Sequence, residues 1–291
     1  MNKPIFAALA SAAIIASCAP AQEAPSREFG IQLYSVRTVL STDGGDNSAV
    51  YAALSEAGYS SVEAANYGDR KFYGRTPEEF KADLEAAGLT AISSHTFNGL
   101  LPWEIQDKTF ARRMAWWDDC IVDHKAAGMK YIVCPAFGVP GTLEELDFYC
   151  QYFNAIGAKC KEAGLEFGIH NHSHEFQKIE GEVMYDYMLS HTDPELVFFQ
   201  MDVYWTMRAG ASPVSYFKAY PGRFKMLHLK DDTELGQSGM VGFDAILSNT
   251  DVAGTCDYIV EQEGTSVGDI LEGVKISAEY LKNNNFGFGL N

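Results

Sequence analysis

The chain has 291 residues, 47% of them hydrophobic and 21% charged, with a formal net charge of −17. That composition excludes disordered, collagen-like and coiled-coil chains, and the length suffices for one large core without disulfide or metal staples. The acidic excess argues against nucleic acid or an anionic membrane surface as partner, because binding phosphates relies on Lys and Arg to release counterions.

Met1-Asn2-Lys3 is short and basic, and Pro4 to Ser17 (PIFAALASAAIIAS) is small and apolar. This is the form of an export signal, with an apolar stretch too short to span a bilayer. Ile15-Ala16-Ser17-Cys18 resembles a lipobox, in which Cys18 is lipidated and becomes the mature N-terminus. Cleavage after Ala19-Pro20-Ala21 is the rival reading. The expected organisation is a lipoprotein-type signal over 1–21, a tether over 22–28 and one domain over 29–291. The expected location is periplasmic or membrane-anchored, with the lipid as the sole membrane contact. The other five cysteines, Cys120, Cys134, Cys150, Cys160 and Cys256, form no C-x-x-C, and Cys150 and Cys160 lie too far apart on one helix to pair. They read as small buried hydrophobes.

From Phe29 on, one pattern recurs. A helix-like stretch ends in Gly58, Gly88, Gly128 and Gly164, each followed by a short apolar run of strand length. The spacings of 30, 40 and 36 residues each suit one strand plus one helix. The expected strands are 29–36, those after the four glycines, 196–205, 224–231 and 258–263. Helices are expected over 43–57, 77–87, 108–127, 142–163, 184–190, 214–220, 243–247 and 265–282. Eight strands alternating with helices predict an α/β fold, a single-domain (β/α)8 barrel. An open doubly wound sheet is disfavoured because QLYSVRTVL lacks a glycine-rich phosphate loop.

In such a barrel, chemistry gathers where strands end. His95 ends the third strand, His170, His172, His174 and Glu175 the fifth, and Asp202 the sixth. His228, Lys230 and Asp231 end the seventh, and Glu261 and Glu263 the eighth. His124 and His191 fall on or near helices and read as structural. Alternation puts His228 with Lys230, His170 with His172, and Glu261 with Glu263 on shared faces. Burying such groups costs several kcal/mol each unless they pair or bind a metal. Carboxylates mixed with imidazoles suit a divalent ion such as Mn²⁺, Co²⁺, Mg²⁺ or Zn²⁺.

The motifs SSH (93–95), FGIHNHSHEF (167–176), MDVYW (201–205), MLHLKD (226–231) and YIVEQE (258–263), in this layout, resemble the xylose-isomerase-like barrels. These are the sugar phosphate isomerase/epimerase superfamily. The resemblance covers Phe29 to about Leu281 and implies metal ligands from strands five to eight: Glu175, Asp202, His228 and Glu261. His170 is the alternative on strand five, where His170-Asn171-His172 replaces the Glu-Asn-His of many relatives. Trp205 stands where Asp-x-x-His often places a histidine. These departures are similar to an HNHxxEF branch that includes inosose-dehydratase-like proteins and enzymes acting on 3-keto-glycosides. The resemblance also leaves a homo-oligomer open.

The expected chemistry is α-proton abstraction beside a carbonyl, with His172, His170, His95 and Glu263 as candidate bases and Lys230 as a further catalytic group. Tyr34, Phe137, Trp205 and Asn171 are the expected substrate contacts. Export and the lack of a phosphate cradle favour an unphosphorylated keto-sugar or 3-keto-glycoside, with elimination preferred over isomerisation or epimerisation of a ketose. A non-catalytic sugar-binding lipoprotein and an endonuclease-IV-type nuclease are the rivals from other classes. The net charge opposes the nuclease.

Overall fold

The computed structural model describes residues 27–288, so the expected export signal, Cys18 and most of the expected tether lie outside the described residues. In chain order the main elements are β1 (Gly30–Gln32), α1 (Ser48–Ala57), β2 (Ser61–Ala64), α2 (Pro77–Ala86), β3 (Thr90–His95), α3 (Pro102–Gln106) and α4 (Ala111–Ala126). There follow β4 (Tyr131–Cys134), α5 (Leu143–Ala163), β5 (Glu166–His170), α6 (Met184–His191), β6 (Val197–Asp202), α7 (Val203–Arg208) and α8 (Pro213–Ala219). The last are β7 (Met226–Lys230), α9 (Phe243–Leu247), α10 (Thr250–Ala253), β8 (Asp257–Glu261) and α11 (Ile270–Asn283). The eight strands close in sequence order into a parallel barrel, sealed where Gly30 and Ile31 of β1 pair with Ile259 and Val260 of β8. This is the (β/α)8 barrel expected from the sequence.

Local chemistry sets the boundaries. Thr76 caps α2 reciprocally with Glu79, and the Thr142 hydroxyl accepts the Glu145 N–H to start α5. Gly58 and Gly164 end α1 and α5 with φ of 102° and 82°, a left-handed conformation that glycine adopts without a Cβ clash. The strands are shorter than the apolar runs. The first run bends into a 3-10 turn over Leu33–Val36, and the sixth into α7, because the Asp202 side chain caps that helix at Trp205 N.

Alternation divides the core in two. Outward residues such as Val62, Ile132, Phe167, Phe199, Leu227 and Val260 pack under the helices. Each such side chain contributes roughly 1.5–3 kcal/mol on full burial. Inward, Tyr131, Val133, Phe198, Met226 and Ile259 plug the floor of the barrel. Gly168 is required there, since a Cβ would stand 2.4 Å from the Phe198 ring. This apolar plug ends one layer below the strand ends, where the interior turns polar. Cys120, Cys134, Cys150 and Cys160 are buried free thiols, and Cys256 is exposed. No described helix is long and apolar enough to cross a membrane.

Candidate active site

Above the plug lies a buried polar layer organised by Glu63 on β2, a residue that sequence reasoning missed. Its Oε1 accepts from Gln32 Nε2 at 2.7 Å and lies 2.7 Å from His228 Nε2 and 3.0 Å from His95 Nε2. Its Oε2 accepts from Ser93 Oγ at 2.6 Å and Gln200 Nε2 at 2.8 Å. Burial opposes charge on Glu63, yet the His95 and His228 imidazoles hold it well below the ordinary carboxylate range. The sequence did carry a signal: a lone acid at the inward position of the apolar run SVEA, one strand from the inward Gln32.

The same layer fixes tautomers. Gln200 Nε2 donates to Glu63, so Gln200 Oε1 faces His95 Nε2 at 2.8 Å and His170 Nδ1 at 3.0 Å. An amide oxygen only accepts, so both ring nitrogens carry protons, and His170 Nε2 is left as a free lone pair. Burial and the neighbouring imidazoles push the His170 pKa far down, keeping the ring neutral.

At the mouth, ligand atoms of His170, Asp202, His228 and Glu261 all lie within 4.8 Å of one another, and all four residues are buried. Three of these were expected together. The strand-five member is His170 and not Glu175: β5 ends at His170, and a 3-10 turn over His174–Phe176 folds Glu175 back so that its Oε2 accepts the His172 N–H at 2.8 Å. Glu175 groups with His172 and His174 instead, its Oε1 2.9 Å from His174 Nε2. Asp202 spends Oδ1 on capping α7, while Oδ2 is buried without a hydrogen-bond partner. Burial and the nearby Glu261 carboxylate push the Asp202 pKa up to about 7. Burial also opposes charge on Glu261 and His228. The pair and its neighbours prevail, lowering Glu261 well below the carboxylate range and lifting His228 to about 10. A buried orphan carboxylate oxygen facing an imidazole lone pair and a second carboxylate fits a divalent cation of mixed O/N preference. Glu63 and Gln200 then hold the outer nitrogens of the two imidazoles, as partners behind metal-bound histidines do.

A cavity of about 310 Å³ opens above this group, lined by Tyr34, His95, His170, His172, Glu261 and Glu263 among others. His172 lies on its wall with Nδ1 buried and unpartnered, and burial lowers its pKa. Lys230 Nζ sits 3.0 Å from Glu263 Oε1 and 3.7 Å from Glu261 Oε2. It does not pair with Asp231, whose carboxylate instead receives Asp232 N, Gly236 N and Ser238. Trp205 is half-buried, 5.9 Å from the His172 ring and 5.8 Å from Lys230 Nζ. Tyr34 is 45% exposed at the rim, and Phe137 lines an adjoining cleft. Asn171, expected as a substrate contact, is not among the residues lining the pocket. Its side chain is fully buried, bonding Asp202 N, Tyr185 OH and Thr206 Oγ1 to lock β5 onto β6. His124 and His191 are structural, bonded to the helix carbonyls of Cys120 and Tyr187.

Known proteins share this architecture. A solved structure from Parabacteroides distasonis, named a sugar phosphate isomerase/epimerase, is 35% identical and superposes with a TM-score of 0.78, covering 89% of this chain and 99% of its own. A second from the same organism, named likewise, is 29% identical with a TM-score of 0.81, covering 94% and 99%. The inosose dehydratase of Clostridium perfringens is 26% identical over 211 residues, 65% of this chain and 66% of that protein. The chain thus spans just under two thirds of the length of the curated relatives it matches first. The family model for the xylose isomerase-like TIM barrel matches residues 51–284, from α1 through α11. With eight parallel strands closed in order and a polar constellation at their C-terminal ends, the chain belongs to the xylose isomerase-like TIM barrel family.

Proposed function

We propose that the chain is a divalent-metal-dependent enzyme that removes the proton next to the carbonyl of an unphosphorylated keto-sugar or 3-keto-glycoside, with elimination as the favoured outcome. The carrying observation is the orphan Asp202 Oδ2 among His170, His228 and Glu261 directly beneath a solvent-open pocket. A binding protein gains nothing from such a buried, costly set. A divalent ion held by His170, Asp202, His228 and Glu261 would supply Lewis acidity that lowers the cost of negative charge on the substrate carbonyl oxygen.

The residues divide the remaining work. His172, on the pocket wall with its pKa lowered by burial, takes the α-proton on its imidazole. Lys230, buried beside Glu261, places positive charge near the developing oxyanion. In a 3-keto-glycoside the C2–H bond breaks and its electron pair forms the C1=C2 bond. The C1–O bond to the aglycone breaks, and the departing oxygen takes up one proton to leave as the alcohol. Trp205 offers an aromatic face beside His172, and Tyr34 closes the rim.

The names of the Parabacteroides structures favour a second reading, in which the proton returns to the sugar and a ketose is epimerised. Export through the 1–21 segment forms part of the proposal, since it removes the enzyme from the cytoplasmic pool of sugar phosphates. Incubation with Mn²⁺ or Co²⁺ and a 3-keto-glycoside in D₂O tests the reaction. Aglycone release supports elimination. Deuterium gained by a free ketose, with no aglycone released, supports the second reading and rejects the first.

A further inference from the structure

The catalytic pocket does not end at His95. Ala65, His95 and Pro135 are shared with a larger cleft of about 720 Å³ that runs outward between the loops after β2, β3 and β4. Five aromatic side chains from separate segments converge there: Tyr67, Phe97, Trp116 on α4, Phe137 and Tyr149 on α5. Tyr67 meets Trp116 edge-on at 5.9 Å, and Phe137 packs against Tyr149 at 4.9 Å, giving two aromatic pairs in the lining. Tyr67, Phe97, Trp116 and Phe137 are half-buried, so part of each ring stays wet in the free protein. Aromatic surface gathered in a concavity this large is the mark of a ligand seat.

The lining contains no Asp, Glu, Lys or Arg. A phosphate or other charged group placed there has no counter-charge and pays its full desolvation cost. Beyond His95, the polar side-chain groups of the lining are Asn66, Thr96, the Trp116 indole N–H and the two tyrosine hydroxyls, and the Tyr67 hydroxyl already donates to Asp123 at 2.7 Å. A second sugar ring, with hydroxyls all round it, is poorly served by so few partners. A planar, uncharged aromatic group is well served, by offset and edge-to-face contacts.

We infer that this cleft seats an aromatic aglycone, so that the substrate of the adjoining site is an aryl 3-keto-glycoside and not a free ketose or an alkyl glycoside. The inference rests on the reading of the pocket as a keto-sugar site and names the second half of its substrate. Two measurements test it. The first compares kcat/KM for phenyl and methyl 3-keto-glucosides. Wild type is expected to favour the phenyl compound at least tenfold, mainly through KM. F137A, on a loop, and the gentler W116L, on a helix, are expected to reduce that ratio to near one. Equal kcat/KM for the two compounds in wild type, or an undiminished ratio in both variants, overturns the inference. The second is calorimetric titration with unoxidised phenyl and methyl glucosides, which needs no turnover. Tighter binding of the phenyl compound, lost in F137A, supports the cleft even if the proposed reaction fails. Indistinguishable binding, or none by either, overturns it.

Discussion

Glu63 Oε1 and His228 Nε2 stand 2.7 Å apart across 165 residues of sequence, both completely buried, and the contact joins β2 to β7 through the barrel interior. It leaves His228 Nδ1 directed at Glu261, 3.4 Å away. Removing the carboxylate strands His95, His228, Gln200, Ser93 and Gln32 without their common acceptor. E63A is expected to cost about 3–5 kcal/mol in urea unfolding. E63Q, which keeps the shape but presents the wrong charge to His228, is expected to weaken divalent-ion affinity roughly 10–100-fold. Unchanged ion affinity in folded E63Q contradicts this assignment.

The same pair sets a pH dependence of ion uptake. His228 is lifted to about 10, against its burial, by Glu63 and Glu261, so before an ion binds both nitrogens of that ring carry protons at neutral pH. Binding through Nδ1 must release it, and affinity is therefore expected to rise with pH between about 6 and 8. Calorimetry in buffers of different ionisation enthalpy is expected to show at least one proton released per ion bound. No buffer dependence contradicts the assignment.

Away from the site, Glu234 ties the loop after β7 to the loop after β8. Its carboxylate accepts from Thr265 Oγ1 at 2.6 Å, Ser266 Oγ at 2.8 Å and Ser266 N at 3.0 Å. Desolvation opposes its charge, but these donors lower the pKa to about 2 from an ordinary 4.5. A folded-state pKa below the unfolded value stabilises above about 4.5, and that stability is lost as pH falls from 4.5 towards 2. The contribution is at most about 3 kcal/mol. E234Q is expected to be less stable at pH 7 and to show a flatter loss of stability below pH 4.5. Parallel acid limbs for the two proteins refute it.

Gly168 makes a purely steric prediction. A Cβ there meets the Phe198 ring at 2.4 Å inside a plugged barrel floor. G168A is expected to destabilise by roughly 1–3 kcal/mol, with partial recovery in an F198L background. Chemical denaturation of the single and double variants measures both effects.

Much of this fold is written in local pattern. Gly58, Gly88, Gly128 and Gly164 punctuate the helices, and the runs that follow became β2 to β5. Asp202, His228 and Glu261 were visible because they end strands whose length and parity are clear. Glu63 was not singled out, because its role depends on His228 and Gln200, which reach it only when the barrel closes. Glu175 falls outside the cluster of Asp202, His228 and Glu261, and His170 inside it, for a local reason: alternation predicts faces only while the strand lasts, and β5 stops at His170. Asn171 sits in the same motif, yet its partners on β6, α6 and α7 turn it inward. Trp116 packs against the core and also lines the aromatic cleft, while its neighbour Trp117 is fully buried.

The most direct measurement is metal content of purified protein reconstituted with Mn²⁺, Co²⁺ or Zn²⁺ and dialysed, for wild type, D202N and H170A. Asparagine is itself a good helix cap, so D202N keeps α7 started at Trp205 N and stays folded while losing the charge at Oδ2. One tightly held ion per wild-type chain, lost in both folded variants, is the predicted result. A wild-type chain that retains no ion, or variants that bind it as tightly as wild type, contradicts the account.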